Sequence, residues 1–291
     1  MIDRSVARRR RKRTGFAMLT VLWVITVATI STIAFALTGR VSIDAARNRV
    51  HHQRAYWLAI GCARKTQSTI DATLRDAIND AAANRAWRTL DAIATSASHD
   101  TACTIALEAA GTRIDINTAT DEMLLRLAAD QQLPNADALV ARIDSARDST
   151  RSVVLLDDDR HLRALLSSLA PSFDSTLTTE PGRLSLANAP ASALVATPGI
   201  SRETADAIVD LRTSNGPLDA LTNILGHLSA TAADSLIARF PDAQRLTTPD
   251  PDAWLLRVSA SSGTPPATVA LQWRLVRVGR QTRAIAFRVL S

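Results

Sequence analysis

Residues 16–39 read FAMLTVLWVITVATISTIAFALTG, a run of 24 residues without a charged side chain that Arg40 ends. A helix rises 1.5 Å per residue, so about 20 apolar residues cross a hydrocarbon core of about 30 Å. The run is therefore long enough to span, and longer than the roughly 7–15 residues of a secretory h-region. Two other fates stay open at this point. Ala34-Phe35-Ala36 has the small-x-small form of a signal-peptidase site that would release a soluble protein, and an unprocessed signal anchor needs no site at all. The formal net charge of +6 sits wholly in residues 1–15, where seven bases (Arg4, Arg8, Arg9, Arg10, Arg11, Lys12, Arg13) oppose Asp3. The rest of the chain is neutral. A basic cluster beside an apolar run holds that end on the cytoplasmic side, so the high pI says nothing of the mature protein's partners.

The helix is expected to continue beyond the apolar run. No proline occurs before Pro134, and Gly61 is the only glycine between Arg40 and Asp80. Val41, Ala45, Ala46, Val50, Tyr56, Trp57, Ile60, Ile70, Leu74, Ala77 and Ile78 recur at roughly helical spacing. A helix from Phe16 to about Ile78 would be roughly 90 Å long.

Farther on the chain repeats itself weakly. Arg113-Ile114-Asp115-Ile116-Asn117-Thr118-Ala119-Thr120 resembles Arg183-Leu184-Ser185-Leu186-Ala187-Asn188-Ala189-Pro190 at an offset of 70 residues. Each copy reads as a short strand entering a helix, with Thr120 as N-cap and Pro190 at the first helical position. The second copy continues through Pro198-Gly199-Ile200-Ser201 into Ala205, Ile208 and Leu211. This looks like a helix-hairpin-helix: Pro198-Gly199 turns, Ser201 caps, and the apolar trio faces the core. DNA-binding examples place a second glycine where Ser201 stands, and residues 183–228 carry three bases against four acids. Phosphate binding needs clustered positive charge, so nucleic acid is not an expected partner.

From Trp254 the period changes to two. Residues 254–260, 269–278 and 283–289 read as strands, with stripes at Leu271, Trp273, Leu275 and at Ile285, Phe287, Val289. No Gly-rich phosphate loop, Cys-x-x-Cys, His-Glu-x-x-His or Gly-x-Ser-x-Gly occurs. The histidines (His51, His52, His99, His161, His227) are scattered. Asp157-Asp158-Asp159 lacks EF-hand spacing and reads as a solvated loop.

Gly15-Phe16, set between RRRRKRT and the apolar run, resembles a type IV prepilin leader, cut before the helix rather than after it. Most pilin-like proteins carry Glu five residues into the mature chain, where Thr20 stands here. The string from Gly15 to Val24 looks like the start of the K-type minor pseudopilins of type II secretion systems (general secretion pathway protein K), which lack that Glu. The resemblance implies cleavage between Gly15 and Phe16 by a prepilin peptidase, N-methylation of Phe16, and a non-enzymatic α+β protein. Its parts would be a cleaved leader (1–15), a transmembrane helix (16–39), a helical continuation (40–80), a pilin-like head with an antiparallel sheet (81–111 and 246–291) and an inserted helical domain with two strand-helix repeats (112–245).

It further implies a single-pass protein of the bacterial inner membrane with its C-terminal part in the periplasm. Partners would be I- and J-type minor pseudopilins in a tip complex that aids export of folded proteins. No cofactor is implied. Some K-type members bind calcium, but no local motif assigns ligands here. The competing class is a single-span protein whose periplasmic helix-hairpin-helix units take up DNA. Cys62 and Cys103 remain open between a bridge and two buried thiols; in a pilin head the first strand, here 104–109, packs on the long helix, so the two could meet.

Overall fold

The computed structural model describes residues 11–90, 103–133, 135–148 and 175–290. Contacts divide the chain into one unit of residues up to Ala55 with Ser261–Thr268, and a second of Tyr56–Ala260 with Val269 onward.

Helix α1 runs from Arg11 to Arg75. Its apolar stretch is long and apolar enough to cross a membrane, and none of its most apolar 18-residue window is buried. Threonines 20, 26, 29, 32 and 38 each donate their hydroxyl to the carbonyl four residues back, at 2.8–3.2 Å. These bonds satisfy the stretch's threonine hydroxyls internally, a requirement in a medium without water. In the same unit, Ser261 and Thr268 share a hydroxyl hydrogen bond of 2.8 Å at the turn end of a strand hairpin.

In the second unit, α1 ends at Arg75 because the chain must turn for α2, Asp80–Arg88. Asn79 caps α2, its side chain accepting from the Ala82 N–H at 2.8 Å. The helix thus stops short of Ile78, which is 94% exposed. Among the described residues four strands make the sheet, in the order β1 (Cys103–Ala109), β6 (Trp254–Ser262), β7 (Ala267–Val278), β8 (Gln281–Leu290). β1 and β6 pair antiparallel from Cys103↔Ala260 to Ala109↔Trp254, and β7 and β8 from Ala270↔Leu290 to Val278↔Gln281. Alternation along β6 and β7 buries Trp254, Leu256, Val258, Leu271, Trp273 and Leu275.

The helix face within this unit's core is made of Ala59, Cys62, Ala63, Thr66, Ile70 and Leu74, all buried. Four of these six are small, so the helix axis can lie close to the sheet, and the two large ones contribute roughly 1.5–3 kcal/mol each by burial. Ile70 and Leu74 belong to the apolar stripe expected from the sequence and lie on this face, whereas its four small residues were outside that stripe. Val41, Val50 and Trp57 are exposed, because large residues weigh most in a hydropathy pattern while small ones make the contact. The stripe expected on β8 is also exposed: Ile285, Phe287 and Val289 sit on the last strand of the sheet, where the core ends.

Between β1 and β6 lies the helical insert. Its first part comprises β2 (Ile114–Asp115), α3 (Asp121–Asp130), α4 (Ala136–Asp148) and β3 (Leu177–Thr178). The second comprises β4 (Leu184–Ser185), α5 (Ala191–Val195), α6 (Arg202–Asn215), a 3-10 helix at Leu221–His227, α7 (Ala230–Ala238), α8 (Phe240–Leu246) and β5 (Thr247–Thr248). β2 pairs parallel with β3 and β4 with β5, in registers Ile114↔Leu177 and Leu184↔Thr247. Both strands of the pair are therefore displaced by the same 70 residues seen in the sequence, so the repeat includes the closing strand as well as the opening one. Matching turns follow: Ala119 N–H bonds Asp115 O at 2.9 Å, and Ala189 N–H bonds Ser185 O at 2.8 Å. The two parts share one apolar core that includes Ile116, Leu127, Ile143, Leu186, Leu194 and Ile208.

Candidate functional site

Gly15 and Phe16 fall in the first turns of α1, and Phe16 is 75% exposed. Thr20 lies one turn on, its hydroxyl bonded to the Phe16 carbonyl at 3.2 Å. Thr20 thus carries a neutral group turned onto its own helix. In the second unit Cys62 on α1 and Cys103 at the start of β1 are joined as a disulfide with their Cα atoms 6.6 Å apart. The bond crosslinks the helix to the first strand.

The helix-hairpin-helix turn is built from α5, Pro198-Gly199 and α6. Gly199 has φ +85, and a Cβ there would stand 2.7 Å from the Arg239 Cβ, so the turn takes glycine on both counts. Ser201 caps α6 by accepting from the Thr204 N–H at 3.1 Å. Pro190 stands at the N-cap of α5, one residue before the position expected for it. The rim of the turn is occupied from within. Arg126 of α3 donates to the Val195 and Ile200 carbonyls, Arg202 pairs with Asp130, and Glu203 accepts from the Ser229 N–H and hydroxyl at 2.7 and 2.9 Å. Those two hydrogen bonds hold the Glu203 carboxyl below the usual range. A phosphate approaching the N-terminus of α6 would meet the carboxylate of Glu203. The motif serves to lock the two halves of the insert together.

Within the second half, Arg212 ties α6 to the turn after β4, donating to the Leu186 and Ala189 carbonyls at 3.1 and 2.7 Å while burial pushes its guanidinium pKa down.

A second constellation holds the neck where the insert leaves the sheet. Trp87 donates to the Pro251 carbonyl at 2.8 Å, Trp254 donates to the Trp87 carbonyl at 2.8 Å, and the two rings meet edge to face at 6.4 Å. Buried Arg88 pairs with both Asp219 of the insert and Asp250 of the neck. Asp219 is held below its ordinary value, first by the hydrogen bond from Arg88 and then by its charge. On the sheet face opposite α1, Glu180 accepts from Gln272 at 2.6 Å, Gln272 accepts from Arg257 at 3.0 Å, and Glu108 pairs with Arg257 and Arg113 at 3.2 and 3.1 Å. This chain of charges seats the segment after β3 on β7. Neither constellation is visible in the sequence, because each joins residues far apart along the chain.

A cleft of about 360 Å³ opens beside the junction of the two insert halves, lined by Ile114, Met123 and Leu184 with Arg183 and Asp252. Arg183 and Asp252 pair at 2.8 Å and so neutralise each other there. Among the described residues no three His, Cys, Asp or Glu side chains lie together as a metal site. Asp157, Asp158 and Asp159 lie outside the described residues, as do His99 and His161.

No family model matches the chain. No curated protein matches it in sequence. Among solved structures, a chain of the crystal structure of the GspK-GspI-GspJ complex from the enterotoxigenic Escherichia coli type 2 secretion system superposes with a TM-score of 0.58, covering 85% of this chain and 99% of that one at 13% identity. At that identity the likeness is one of fold, an α+β pseudopilin-like fold with a long N-terminal helix, an antiparallel sheet and additional helices.

Proposed function

We propose that this chain is a K-type minor pseudopilin of a type II secretion system, a tip component that works by binding and shape and catalyses no reaction. The observation that carries the reading is the fold likeness over nearly the whole of a chain from a GspK-GspI-GspJ complex. Thr20 favours a place at the filament end. A neighbour's N-terminal amine buried in a filament interior without a carboxylate partner would cost several kcal/mol, and Thr20 offers only a hydroxyl already bonded to Phe16. The disulfide suits an oxidising periplasm, and the exposed apolar stretch suits an inner-membrane anchor cut by a prepilin peptidase between Gly15 and Phe16.

In this reading the insert displays a rigid surface at the tip, and the protein joins I- and J-type minor pseudopilins. Two measurements on protein purified from membranes test it together. Intact mass should give a chain beginning at methylated Phe16, and I- and J-type partners should copurify. An uncut leader, or a chain starting after Ala36, combined with no partner binding, would overturn the proposal.

A further inference from the structure

We infer that the outer edge of β8 is a docking edge for an acidic, extended segment of a neighbouring minor pseudopilin, which joins the sheet as a fifth strand. The inference rests on the proposed function for the identity of the neighbour and on β8 itself for the chemistry.

Among the described residues β8 closes the strand order and pairs on one side only. Ile285, Phe287 and Val289 alternate along it and are 55%, 48% and 50% exposed. The register Trp273↔Phe287 and Leu271↔Val289 sets the last two beside residues that are 8% and 0% exposed on β7. The Phe287 ring also meets the Trp273 ring edge to face at 6.5 Å. One apolar face thus runs across the sheet and is left uncovered on its last strand. The beginning of that strand is already taken. Thr282 donates its N–H and hydroxyl to Asp71 at 2.6 and 2.7 Å and accepts from Gln67 at 3.1 Å. The free edge therefore starts at Arg283.

Charge selects the occupant. β8 reads QTRAIAFRVL, with Arg283 and Arg288 and no acid. Arg288 faces Glu180 at 3.7 Å, whereas Arg283 has no acidic partner among the described residues. A second copy of this chain is a poor occupant. Antiparallel self-pairing centred on Ile285-Ala286 would set Arg283 against Arg288 twice, and like charges directly opposite are destabilising. The register shift between Arg274 and Leu275 leaves Ile285 without a partner on β7, a bulge that any added strand must follow. What fits is a strand with alternate apolar residues and a carboxylate placed to meet Arg283.

The test uses the full chain in detergent with purified I- and J-type partners. Wild type should bind one of them, and a photo-cross-linking residue at position 289 should map to an extended, acid-bearing segment of it. Ile285→Asp and Val289→Asp should each weaken that binding roughly tenfold while the melting temperature holds. Arg283→Glu should weaken it likewise, and Arg283→Lys should restore it. Partner binding at wild-type strength in both aspartate variants, or a cross-link to a second copy of this chain, would overturn the docking edge and leave the proposed function standing. Failure of wild type to bind either partner would remove both.

Discussion

Breaking the Cys62–Cys103 bond, which ties α1 to β1, should destabilise the protein markedly. The cysteines lie 41 residues apart, and closing a loop of that length restricts the unfolded chain by about 4 kcal/mol on the chain-entropy account. For a chain of this size each kcal/mol moves the melting temperature by roughly 2–4 °C, so the expected fall is about 8–16 °C. Both cysteines are 8% exposed, so a serine would add the burden of a buried hydroxyl. The cleaner perturbation is Cys62→Ala with Cys103→Ala, which removes the bond and leaves no new polar group. Calorimetry or circular dichroism on detergent-solubilised protein, with wild type oxidised and reduced, gives the comparison. Reduced wild type and the double variant should melt together, well below oxidised wild type. A shift under about 3 °C, or free alkylation of both thiols without reductant, would refute the reasoning.

Two substitutions probe the join between the halves of the insert. Gly111 has φ +85, and a Cβ there would lie 1.9 Å from the Arg183 carbonyl oxygen, so Gly111→Ala should destabilise by about 3 kcal/mol from strain and forced displacement. Gly182→Ala is the control: its Cβ would meet nothing nearer than 3.4 Å, and thermal melting should barely change. Asp252 is held below its ordinary value although burial alone would raise it, because the hydrogen bonds and charge of Arg183 prevail. A depressed carboxyl contributes stability that is present above its unfolded pKa of about 4 and is lost as pH falls through the lower folded value. Arg183→Gln should therefore melt lower than wild type at pH 7 and lose less on acidification from pH 5 to pH 3. Parallel acid profiles would reject that assignment.

What the sequence made legible follows the range over which each signal acts. The uncharged run and the lack of proline are local, and α1 spans them. Alternation in residues 254–260 and 269–278 is local too, and β6 and β7 fall there within a few residues. The helix face was legible only in part: Ile70 and Leu74 were in the expected stripe and are buried, but Ala59 and Ala63 carry little hydropathy yet lie at 0% exposure, while Trp57 carries much and is 63% exposed. Helix α2 escaped notice: DAAANRAWR is short and polar, and its purpose lies in Trp87 and Arg88, whose partners are more than 130 residues away. The 70-residue repeat was legible in its opening strand and not in its closing one. Leu177-Thr178 and Thr247-Thr248 are two-residue strands with no pattern of their own, and the shared register alone relates them.

The neck explains how a sheet accepts so large an insertion between paired strands. Ala109 and Trp254 are register partners, and the ladder gains one more bond beyond them, Ala110 N–H to Ala253 O at 2.8 Å. The insert thus leaves and returns at adjacent points, so its ends are already closed by the strand pair and its length adds little entropic cost to the head. Such a neck would swing freely if only the two chain crossings held it. Instead, Gly111 O accepts from Ser185 N–H at 2.9 Å, Trp87 and Trp254 bind across it, and Arg88 reaches both the neck and the insert from inside the core. A buried guanidinium stripped of either carboxylate is costly, so any motion that separates Asp219 from Asp250 works against Arg88. Orientation of the insert on the head is therefore fixed by the same residues that close the core. In the proposed role at a filament tip, a fixed orientation would let growth beneath the protein move the surface that the insert displays.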